Sequence, residues 1–146
     1  MFVHALEKKR FRTKIIMNKF VLFALLYLFM DLLWITGNRA FYNPRISRIQ
    51  QGKPVSFRPT AAVVAYVLLL LTLFFVCMPL SRHYQGQFPP WVVFGVVGLC
   101  VYGVFNSTNY AIFADYPLDM ALIDTLWGFT VFALFGYFFS REALVR

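Results

Sequence analysis

Four long apolar runs, separated by short polar or proline-bearing breaks, account for most of the chain. They cover about residues 19–38, 60–81, 91–113 and 118–140. Each reaches the ~20 residues that a helix needs to cross ~30 Å of hydrocarbon. None alternates with the period of two that barrel strands require, and a spanning backbone must satisfy its own polar groups. The pattern therefore predicts four transmembrane helices. Pro89-Pro90 ahead of the third run and Pro117 ahead of the fourth suit helix starts, where a missing N–H is no loss. The link Ala114–Pro117 is short enough to make spans three and four a tight antiparallel hairpin. The one substantial connection, about 39–58, predicts a short interfacial helix around Pro44–Gln51.

The expected fold class is all-α, a membrane-embedded four-helix bundle with no soluble domain. A basic cytoplasmic segment would occupy residues 1–18, the four-span domain 19–140 and a C-terminal tail 141–146. Composition agrees: 60% of the 146 residues are hydrophobic and only 14% charged, where a soluble domain carries about 25%. The 18 Phe residues are more than one small aqueous core would hide.

The net charge of +8 changes the picture only through its placement. Lys8, Lys9, Arg10, Arg12, Lys14 and Lys19 precede the first run, and Arg82, Arg141 and Arg146 fall on the same side of a four-span chain. The other side holds Arg39, Arg45, Arg48, Lys53 and Arg58. The positive-inside rule predicts N-in, C-in. Cations at the ends of apolar runs suit a lipid surface, so the bilayer is the expected partner and nucleic acid is not. The basic start followed by an apolar run looks like a secretory leader. However, the run is too long, contains Asp31 and lacks a small-residue cleavage site, so a retained helix is expected. Cys77 and Cys100 sit within apolar runs without CxxC spacing or a nearby His. Ordinary helix packing is expected of them, with no metal and no cofactor.

The informative residues are those that lipid should reject. A carboxylate within a span costs several kcal/mol unless it is neutral, paired or turned to a polar interior. Asp31 and Asp124 are two such residues, and span three adds the polar stretch Asn106, Ser107, Thr108 and Asn109. Helical phase places Tyr27, Asp31, Trp34 and Asn38 on one stripe of span one. Gly95, Gly98, Tyr102, Asn106 and Asn109 share a stripe of span three, and Asp124, Trp127 and Gly128 a face of span four. At ~1.5 Å per residue, both carboxylates lie roughly 10 Å below the same surface. The candidate ligand-binding or proton-exchanging residues are Asp31, Asn106, Thr108, Asn109 and Asp124, with Tyr27, Trp34, Asn38, Tyr66, Tyr102, Trp127 and Gly128 in support. The plainer reading is interhelical hydrogen bonding at about 0.6–2 kcal/mol per contact, with interfacial anchoring for the tryptophans and packing for the Gly95/Gly98 and Gly128/Gly136 pairs. Asp31-Leu32-Leu33-Trp34 is echoed by Asp124-Thr125-Leu126-Trp127, an echo too short to imply duplication.

These motifs, together with Phe41-Tyr42, Tyr102-x-x-x-Asn106-x-Thr108-Asn109-x-Ala111 and Asp124-x-x-Trp127-Gly128, resemble the four-span membrane proteins grouped as domain-of-unknown-function family 2177 (DUF2177). The resemblance covers roughly residues 20–140. It implies the four-span fold and the position of the site, but no activity. The family's third-span motif usually reads Tyr-Asp-Leu-Thr-Asn. Here Phe105, Asn106, Ser107, Thr108 and Asn109 stand at those positions, so an amide replaces a carboxyl at Asn106.

Three function classes compete. The leading expectation is a membrane protein that binds or conducts a small polar solute, cation or proton through the polar layer, as a homo-oligomer because four helices are few for a transport path. The alternative is a structural subunit whose layer docks a partner helix. Catalysis is the least favoured class. The Gly-x-Gly-Asp pattern of aspartyl intramembrane proteases is absent, and His4 and His83 lie outside the spans.

Overall fold

The computed structural model describes the backbone of residues 2–144 and the side chains of residues 20–141. The whole of the expected basic segment 1–18, and all of the tail 141–146 except Arg141, therefore lies outside the described side chains. The elements are α1 (Phe2–Gly37), α2 (Arg39–Ile49), α3 (Pro59–Leu71), a π-helical segment (Thr72–Cys77), α4 (Met78–His83), α5 (Pro90–Ile112) and α6 (Leu118–Leu144). Among the described residues four stretches are long and apolar enough to cross a membrane: Phe20–Gly37, Pro59–His83, Pro90–Ile112 and Leu118–Arg141. The architecture is all-helical, and these stretches coincide with the predicted runs to within about two residues.

Two local features differ from the sequence reading. The short helix after span one begins at Arg39, immediately beyond the Asn38 turn, and contains Pro44 in its middle instead of opening there. Pro44 withholds an N–H from the Ala40 carbonyl, and Ala40 is exposed, so water can take up that carbonyl. Span two is not a uniform α-helix either. Pro79 cannot donate and its ring crowds the carbonyl four residues back, so the helix widens ahead of it. The Met78 N–H reaches back to the Leu73 carbonyl, a five-residue span characteristic of a π-bulge.

The tightest pairing is between α5 and α6, and it depends on the absence of side chains at their crossing. A Cβ at Gly98 would collide with the Gly128 carbonyl oxygen and with Phe132, and one at Gly136 would lie 2.6 Å from the Pro90 carbonyl oxygen. Small residues at these places let the two backbones approach, the usual basis of helix association in lipid. Around the crossing, Leu73, Cys77, Phe94, Val131, Phe132 and Phe135 form an apolar cluster with Tyr27. A second, smaller cluster joins Tyr116, Met120 and Ala121 to Phe41, Tyr42, Ile46 and Ile49 of α2. α2 thus lies across one end of the α5–α6 hairpin. Outward faces are apolar, with Leu22, Phe75, Val104 and Leu126 well exposed, and α3 has no fully buried residue. Such surfaces suit acyl chains, not water.

Gly98→Ala is expected to lower stability by about 1–3 kcal/mol, because the nearest obstacle is backbone that cannot turn aside. Gly103→Ala meets only a Thr125 methyl at 3.5 Å and should be neutral or slightly stabilising. Thermal unfolding of the two variants in one detergent checks both.

Candidate functional site in the polar layer

The polar groups of the spans collect in one layer between the two apolar clusters. Along α6 the order is Met120 and Ala121 in the smaller cluster, then Asp124 and Trp127, then Val131, Phe132 and Phe135 in the larger one. α1 contributes Asp31, which is buried, with Tyr27 one turn deeper and Trp34 one turn nearer the end of the span.

Each carboxylate is held by its own set of neutral donors. Asp31 Oδ2 accepts from the Tyr66 hydroxyl of α3 at 2.9 Å, and its Oδ1 accepts from the Trp127 indole of α6 at 2.8 Å. Asp124 Oδ2 accepts from the Asn106 amide of α5 at 2.8 Å, and its Oδ1 accepts from the Tyr42 hydroxyl of α2 at 3.5 Å. Tyr42 in turn accepts from the Trp34 indole at 3.0 Å. The two indole rings stack with centroids 4.3 Å apart and 2° between planes, so they join the two halves of the layer. Asn106 is buried and completely used: its amide also donates to the Tyr102 carbonyl at 2.9 Å, and its Oδ1 accepts from the Tyr116 hydroxyl at 2.7 Å. Deeper in the bundle the hydroxyls of Tyr27 and Tyr102 lie 3.1 Å apart.

No cation balances the carboxylates among the described residues. The ion pairs there are Arg45 with Asp119 and Arg48 with Asp115, both at the exposed end of the hairpin. At the membrane boundary, burial pushes the Tyr42 hydroxyl up to about 12. The Trp34 indole pulls it down and the neighbouring Asp124 charge adds to the rise. Burial, with the Asp124 charge second, raises Tyr116 as well. Both phenols therefore stay protonated at neutral pH and serve Asp124 and Asn106 as donors.

The structure brings Asp31, Asn106 and Asp124 into the layer with Tyr27, Trp34, Tyr66, Tyr102 and Trp127, and leaves other candidates outside it. Thr108 is exposed, because two residues along a helix turn a side chain by about 200° from Asn106. Asn109 shares the Asn106 stripe and is half-buried one turn nearer the loop, at the edge of the layer beside Tyr116. Asn38 donates to the Trp34 carbonyl at 2.8 Å and so ends α1 instead of reaching the site. Gly128 is a packing position, since a Cβ there would strike the Tyr102 ring. Trp34 and Trp127 are inward donors, to Tyr42 and to Asp31. Tyr42 and Tyr116 were not among the sequence candidates, as both lie in connections outside the runs. Their signal was a phenol in a connection flanking the polar layer, at Phe41-Tyr42 and Tyr116-Pro117.

Asn106→Asp would replace the donor to Asp124 with a second carboxyl at the same 2.8 Å separation. Two ionised carboxylates at that distance repel, and one shared proton removes the repulsion. The variant is expected to lose about 1–3 kcal/mol at alkaline pH and to recover part of it in acid. Melting curves at pH 5 and pH 8 beside the parent chain check this.

The family described as "Predicted membrane protein (DUF2177)" matches residues 16–139, a segment that includes every residue of the layer. No curated protein and no solved structure matches the chain. With four candidate spans and a family match over most of its length, the chain is a multi-pass membrane protein belonging to the DUF2177 family.

Proposed function

We propose that the layer is a binding and exchange site for a proton or a small cation, reached from the end of the bundle that α2 covers. The observation that carries this reading is that Asp31 and Asp124 come from separate spans and are met by neutral donors alone. Hydrogen bonds reduce the cost of a buried carboxylate but do not cancel its charge, and in a low-dielectric interior two uncancelled charges favour uptake of a proton or cation. The larger apolar cluster lies on the opposite side of the layer from α2, which favours exchange through the α2 end. We assign the N-in, C-in orientation to the bundle on the distribution of basic residues. A homo-oligomer fits the small number of spans and the apolar, weakly buried faces of α1 and α3.

A second reading, interhelical hydrogen bonding without exchange, is favoured by the fact that both Asp31 oxygens are already occupied. The two readings separate in proteoliposomes. Asp31→Asn and Asp124→Asn keep the size and an acceptor oxygen while removing the charge. Proton or alkali-cation flux driven by an imposed potential is expected in the parent and should fall at least about tenfold in each variant. Unchanged flux in both variants, or none in the parent, removes exchange and leaves the hydrogen-bonding reading.

A further inference from the structure

We propose that α2 and the segment after it, residues 53–58, form a binding surface for the phosphate headgroups of anionic phospholipids. Between Asn38 and Pro59 the chain carries Arg39, Arg45, Arg48, Lys53 and Arg58 and no acidic residue. α2 packs Phe41, Tyr42, Ile46 and Ile49 against Tyr116, Met120 and Ala121, which sets it at the level where the hairpin begins. Helical phase places Arg39 on one flank of that apolar face and Arg48 on the other, with Arg45 within the face between Phe41 and Ile49. An amphipathic helix flanked by cations at a span end lies where headgroups lie.

The acidic residues across from α2 neutralise only part of this charge. Each nitrogen of Arg45 is engaged: its Nε donates to Asp119 at 3.1 Å, its Nη2 pairs with the same carboxylate, and its Nη1 donates to the Phe41 carbonyl at 2.8 Å. Arg48 reaches Asp115 only at 3.7 Å, with its side chain 71% exposed. Arg39, Lys53 and Arg58 are exposed and enter no ion pair among the described residues. A cleft of about 280 Å³, lined by Pro44, Arg45, Arg48, Pro117 and Asp119, opens beside Arg48.

The segment Lys53-Pro54-Val55-Ser56-Phe57-Arg58 decides the nature of the anion. It is exposed throughout, and Phe57 is 76% exposed between two cations. An aromatic ring beside cations suits the boundary where acyl chains meet phosphodiesters. A free phosphate ion would gain nothing from Phe57 and Val55.

The experiment uses the full chain, purified and incubated with vesicles of phosphatidylglycerol or phosphatidylcholine, with retained lipid measured by native mass spectrometry. The parent is expected to retain phosphatidylglycerol preferentially. Arg39→Gln/Lys53→Gln/Arg58→Gln should weaken that preference by about fivefold per cation removed. The matching charge-retaining variant Lys53→Arg should not weaken it, and Phe57→Ser should weaken retention of both lipids. A variant with Lys8, Lys9, Arg10 and Arg12 changed to Gln should keep most of the preference. The proposal is overturned if the triple variant retains the parental preference, if the preference disappears only with the N-terminal variant, or if inorganic phosphate displaces the lipid.

Discussion

A carboxylate taken out of water must be supplied with donors, and in this protein that requirement draws on every span. Asp31 takes its donors from α3 and α6, and Asp124 takes its donors from α5 and α2. Neither residue could be housed by its own helix, whose backbone donors are already committed. The polar layer therefore orders the bundle. It sets which faces of α1, α5 and α6 turn inward, and Tyr66 is the polar tie from α3, a helix with no fully buried residue.

The apolar parts of the fold make this layer stringent. Glycines let α5 and α6 approach until side chains of one touch the backbone of the other, and phenylalanines fill the space on one side of the layer while α2 packs over the hairpin on the other. In the low-dielectric interior each hydrogen bond is stronger and each missing one costs more. The stacked indoles show the same economy. Trp127 serves Asp31 directly, Trp34 serves Asp124 through Tyr42, and the rings cover one another's faces.

Much of this was legible from residue order. Four apolar runs located the helices, because a spanning helix must be long and continuously apolar. Helical phase also placed Asp31 with Trp34, and Asp124 with Trp127. Phase could not reveal which helix each group faces, so the pairing of Asn106 with Asp124 but not with Asp31 emerged only in three dimensions. It also did not supply Tyr42 and Tyr116, which enter from the connections between spans and not from the spans themselves. Thr108 misled by its polar neighbours, as its hydroxyl lies on the far face of α5. The echo between Asp31-Leu32-Leu33-Trp34 and Asp124-Thr125-Leu126-Trp127 marks positions that meet across the layer, each tryptophan stacked on the other. The second run reads as one continuous helix, and the π-bulge ahead of Pro79 emerged only from the backbone.

The proposed exchange requires Asp31 and Asp124 to change charge inside the bundle. Infrared difference spectroscopy of the full chain in lipid nanodiscs, stepped in pH with and without alkali cations, observes the carboxyl groups directly. The expected result is a band of protonated carboxyl in an apolar setting that changes with pH or cation and is lost from Asp31→Asn and Asp124→Asn. A spectrum in which no carboxyl assignable to either residue responds would contradict the account, and the layer would then be a fixed structural joint.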